Sequence, residues 1–102
     1  MPKLRDTLIE FSVTPLGVGG SVSGHVARCV KKIRGSGLPN ELHSMGSIVE
    51  GTLEECLDLL KSCIEDTLTD APRASVSVKM DVRPGQTGRI RAKVQAVEEK
   101  LR

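Results

Sequence analysis

The chain has 102 residues and a mass of 11.0 kDa, which fits one domain over residues 1–102 around one modest core. Its net charge of +2, with both signs interspersed, gives no electrostatic basis for a nucleic-acid or membrane partner, and no apolar run reaches transmembrane length. Phe11 is the sole aromatic residue, so the core must be built from aliphatic side chains and any ligand must be held almost without ring stacking.

The opening segment, MPKLRDTLIEF, lacks the apolar stretch of a secretory signal. Residues Thr7 to Thr14 alternate, with Ile9, Phe11 and Val13 on one side and Glu10, Ser12 and Thr14 on the other, which predicts a half-buried strand. Pro15 and the glycines at 17, 19 and 20 are expected to break it. Ser21 is a suitable N-cap for a helix carrying Val22, Val26, Cys29, Val30 and Ile33 at helical spacing. Lys31, Lys32 and Arg34 suit its last turn, and Gly35 and Gly37 suit its end.

Glu41 to Glu50 is too short and too β-branched for a helix, and Gly46 divides it into two short strands around a tight turn. Thr52 and Glu55 have the spacing of a capping box. A broad apolar stripe follows, from Leu53 through Cys56, Leu57, Leu60, Cys63 and Ile64 to Leu68, ending near Pro72. Ala74 to Arg83 alternates again, Val76, Val78, Met80 and Val82 against Ser75, Ser77, Lys79 and Asp81, and Pro84 and Gly85 stop it. Ile90, Val94, Val97 and Leu101 then mark an amphipathic terminal helix.

The order β-α-β-β-α-β-α predicts an α+β, ferredoxin-like plait: a four-stranded antiparallel sheet with two helices on one face, plus an extra C-terminal helix. The opposite sheet face should be bare. By alternation it carries Leu8, Glu10, Ser12 and Thr14 with Ser77, Lys79 and Asp81, joined by His43, Ile48 and Glu50 if Leu42 and Val49 point to the core. Such a mixed surface suits either a solvated face or an oligomer interface with a polar gap, and the terminal helix has apolar residues to spare for a neighbouring subunit.

Cys29, Cys56 and Cys63 form no CxxC and lie on apolar helix faces. Buried reduced thiols in a reducing, cytoplasmic compartment are the simplest reading, and burial blunts them as nucleophiles. Neither histidine has a second ligand at zinc spacing, so no metal is expected. Gly17 to Ser23 is neither a dinucleotide fingerprint nor a P-loop. It reads as a capped strand-to-helix turn, with a ligand contact as the alternative. His43 and Glu50 could meet a small molecule on the bare face or form an ion pair across an interface. An acylphosphatase-type arginine is absent from residues 15–23, and the central strands lack the aromatics of an RNA-recognition domain. No catalytic constellation is suggested, and no cofactor.

Three stretches together resemble the thiamine-binding protein family (YkoF-like). They are Thr14-Pro15-Leu16-Gly17 through Gly20-Ser21-Val22-Ser23, then Leu42 through Gly51, and the closing pattern of Asp81, Arg83, Lys93, Val94 and Val97. The resemblance implies a ferredoxin-like homotetramer that binds thiamine or a related pyrimidine without catalysis. Its candidate ligand contacts are Gly17, Gly19, Ser21, Ser23, His43, Ser47 and Glu50. Val18 stands where many members carry Thr, His25 where an aromatic is usual, and Ser47 where Thr is common.

Overall fold

The structure, a computed structural model, describes residues 4–20 and 22–102. Its elements are β1 (Thr7–Leu16), α1 (Ser23–Gly35), β2 (Asn40–His43), β3 (Gly46–Gly51), α2 (Leu53–Thr67), β4 (Arg73–Val82) and α3 (Arg89–Lys100). The strands form one antiparallel sheet in the order β2-β3-β1-β4, the ferredoxin-like arrangement expected from the sequence.

Ile9, Phe11 and Val13 of β1 and Val49 of β3 meet Cys29 and Ile33 of α1 and Cys56 and Cys63 of α2 in the core. The capping box of α2 is formed: Glu55 N donates to Thr52 Oγ1 at 3.0 Å, and Thr52 N donates to Glu55 Oε1 at 2.9 Å. α1 begins without a side-chain cap, with Val22 in the N-cap position; the expected cap, Ser21, lies outside the described residues. Arg28 fastens α1 to the end of α2, through Asp66 at 2.9 Å and Asp70 at 3.0 Å, and His25 adds a 2.8 Å contact to Asp70. The α2 stripe is less buried than its pattern suggests, since Leu53, Leu57 and Leu68 are exposed.

Two departures from the sequence reading shape the molecule. First, β1 does not break at Pro15. It pairs with β4 from Thr7↔Val82 to Leu16↔Arg73, whereas its pairing with β3 stops at Phe11↔Ser47. Residues 12–16 thus have a strand neighbour on one side only, the setting in which a proline's missing N–H is tolerated. Second, the far face of the sheet is not bare. The start of α3 folds back onto it, and Leu8 is only 5 % exposed. The rest of α3 extends outward, with Val94, Val97 and Leu101 at 57 %, 59 % and 79 % exposure. No helix among the described residues is long and apolar enough to cross a membrane.

Candidate functional site

The mismatch between β1 and β3 creates a cavity. Beyond the Phe11↔Ser47 pair β1 runs on without β3 beside it, the β2–β3 turn borders the gap, and α1 closes the other side. The resulting space is about 320 Å³, within the roughly 300–1,000 Å³ range of small-molecule sites. Val26 and Val30 of α1 line one wall, His43 of β2 with Ser44 and Met45 of the turn another, and Ser12 and Thr14 of β1 a third. Phe11, the lone ring, lines the same space although only 4 % exposed. It therefore serves both core and cavity.

His43 is oriented from both ring nitrogens. Met45 N donates to Nδ1 at 3.2 Å, and Nε2 lies 3.3 Å from Glu10 Oε2. An accepting Nδ1 places the neutral ring's proton on Nε2, where it donates to the carboxylate. Ser47, opposite both Phe11 and Leu42, sits on the helix side of the sheet, whereas His43 belongs to the other side. They line one cavity because it opens at the end of β3, where both faces are reachable.

The remaining candidates lie elsewhere. Gly17 and Gly19 have φ of 80° and 92°, and a Cβ at Gly17 would stand 2.9 Å from Pro72 Cγ. Both glycines serve a tight, left-handed turn and line none of the cavities described here. Ser23 opens α1 and borders a shallow groove with Lys31 and Arg34; this groove shares Val26, Val30 and Leu42 with the cavity.

Glu50 stands at the other end of β3. Its carboxylate accepts from the backbone N–H of Gly88 (2.7 Å), Arg89 (2.7 Å) and Ile90 (3.2 Å) and from the Thr87 hydroxyl (3.2 Å). Glu50 thus caps α3 from a neighbouring strand. Burial opposes the charged form, but the amide donors outweigh it and hold the carboxyl below its usual range. No sequence signal gave this away, because the partner amides lie far along the chain from Glu50 and amides carry no residue identity.

Two further groups escaped the sequence reading. Ser12, Thr14 and Ser44 supply hydroxyls to the cavity. Arg89, buried under α3, meets Asp81 together with Lys93; the i,i+4 spacing of Arg89 and Lys93 after an acidic strand residue was the available clue. No group of three or more His, Cys, Asp or Glu among the described residues could hold a metal ion.

The family model for thiamine-binding proteins matches residues 9–98. The UPF0045 protein Mb1933 of Mycobacterium bovis is 41 % identical over 95 residues, 92 % of this chain and 93 % of that one. The crystal structure of MJ1052 from Methanocaldococcus jannaschii superposes with a TM-score of 0.85 at 33 % identity, covering 94 % of this chain and 99 % of that one. A Bacillus cereus domain of unknown function, DUF77, superposes with a TM-score of 0.78 at 27 % identity over 86 % of each chain.

Proposed function

The chain belongs to the thiamine-binding protein family, and we propose that it is a non-catalytic binder of thiamine or a related aminopyrimidine, working in the cytoplasm as a homotetramer with its sites where subunits meet. The observation that carries this reading is the cavity beside the free half of β1. Its size suits a two-ring ligand, and its hydroxyls (Ser12, Thr14, Ser44, Ser47) together with His43 suit the hydrogen-bonding edge of an aminopyrimidine. Ser23 and the shared groove offer a path for the rest of the ligand. Gly17 and Gly19 contribute through the turn that precedes α1, Ser21 as a hydroxyl donor, and Glu50 through the placement of α3.

The cavity is open on one side, and a neighbouring subunit closing it would complete the walls. The exposed apolar residues of α3 favour self-association by themselves. That favours a second reading, a structural or regulatory oligomer that senses another small metabolite.

Calorimetric titration with thiamine separates the two. Each neutral contact contributes about 1 kcal/mol net, and with one buried ring for stacking we expect a dissociation constant of roughly micromolar or weaker. Absence of saturable binding would leave the second reading.

A further inference from the structure

A second cavity, of about 240 Å³, lies on the opposite side of the sheet under the first turns of α3. Leu8, Ile48, Met80, Ile90 and Val94 give it aliphatic walls. Its polar lining is Arg89, Lys93 and Lys79 against Asp81 and Glu10, a local excess of one positive charge.

The arginine is the unusual member. Its side chain is 8 % exposed. Asp81 accepts from Nη2, and the same Asp81 oxygen also takes Lys93 Nζ at 2.7 Å. Nη1 is buried and has no hydrogen-bond partner among the described residues. A purely structural ion pair should leave no such orphan, because a buried charged donor without a partner is costly and rare. A guanidinium held at one nitrogen and free at the other is set up for a planar or tetrahedral oxyanion. The helix N-terminus above it is not available for that role, since Glu50 already fills it.

We propose that this cavity binds a small molecule carrying an oxyanion, a carboxylate or a phosphate, on a short aliphatic body. The anion meets Lys93 and the Arg89 guanidinium, whose buried Nη1 turns into the cavity on binding, with Lys79 at the rim, while the aliphatic part lies against Leu8, Ile48 and Val94. Asp81 acts as the positioning residue that fixes the guanidinium plane. Glu10, on the cavity's edge, is drawn toward His43 and so leaves the positive groups dominant. The site is distinct from the cavity beside β1 and does not depend on thiamine binding there.

Methyl-detected NMR on the full chain tests it with inorganic phosphate, isovalerate and, as the uncharged control, isovaleramide. We expect saturable shifts at Leu8, Ile48, Ile90 and Val94 with at least one anion and none with the amide. Preference for phosphate assigns a phosphoryl ligand, and preference for isovalerate an organic acid. Lys93→Gln, at an exposed position that leaves the fold intact, should weaken binding about fivefold, and Arg89→Met at least tenfold. Lack of a saturable shift with either anion, an equal response to the amide, or an affinity unchanged in both variants would overturn the assignment.

Discussion

His43 and Glu10 are joined across the intervening strand: Nε2 of one lies 3.3 Å from a carboxylate oxygen of the other, although β3 separates their strands in the sheet. The residue of β3 opposite His43 is Gly46, so no side chain blocks the reach. His43 lines the cavity beside β1 and Glu10 the cavity under α3. The pair is the partition between them.

His43→Ala should weaken thiamine binding about threefold to tenfold, the loss of one hydrogen bond of about 1 kcal/mol. The melting temperature should barely move, because a half-exposed pair contributes less than about 1 kcal/mol. Calorimetry and a thermal melt on the same sample read both. An unchanged affinity removes His43 from the site.

Glu50→Gln should loosen α3 rather than act on a ligand beside β1. It replaces a charged acceptor of three amides and a hydroxyl by a neutral one, at a cost of about 1–3 kcal/mol. The pH dependence follows from the depressed carboxyl. Its contribution is fully present above the unfolded value near 4.3 and is lost as pH falls through the lower, folded value. The stability gap between wild type and variant should therefore close on acidification below about pH 4. Amide exchange at residues 89–92 should rise in the variant at neutral pH; exchange identical to wild type would show that the cap is dispensable.

The thiols should react slowly in the native protein. Cys29, Cys56 and Cys63 are all buried and free. Burial pushes the Cys56 thiol up to about 11; within the Cys29–Cys63 pair the mutual hydrogen bond raises Cys63 and lowers Cys29, so slow labelling of Cys29 rests on its burial. Labelling by a thiol reagent should accelerate sharply in denaturant. Fast labelling of the native state would place a thiol at the surface.

Gly46→Ala should damage the sheet beside the cavity. The added Cβ would stand 2.7 Å from the carbonyl oxygen of Phe11, a backbone atom that cannot yield without shifting β1. A loss of about 1–3 kcal/mol is expected, with weakened thiamine binding in proportion to the displacement of the turn. Chemical denaturation gives the first quantity; wild-type stability would mean that the strands separate without cost at their end.

Val97→Glu tests self-association. Val94, Val97 and Leu101 form an exposed apolar row on α3, so a charge there should leave the protomer folded and lower the mass seen by light scattering. A wild-type protein already monomeric at micromolar concentration would rule out the tetramer.

Much of the fold was legible because alternation and helical spacing are local signals. Ile9, Phe11, Val13, Cys29 and Ile33 fall where their spacing puts them. The length mismatch between β1 and β3 was not legible. Pro15 reads locally as a breaker, and only the absence of a neighbour on one side makes it tolerable there. His43 and Glu50 looked like partners on one hairpin. They diverge because pairing places Glu50 opposite Leu8, beyond the end of β2, where the first amides of α3 arrive. Contacts of this kind depend on how separate elements dock, and sequence spacing does not encode them.

The single aromatic side chain makes the molecule magnetically simple. Phe11 sits between the core and the cavity beside β1, and Trp and Tyr are absent. In the ligand-free protein, Phe11 is therefore the dominant source of aromatic ring current, felt most strongly by nearby methyls such as those of Val13 and Val49. A bound aminopyrimidine would add a source beside that ring and the weaker imidazole of His43, in an otherwise quiet background. The methyls whose resonances it displaces would trace its position and ring orientation directly, without isotope labels on the ligand.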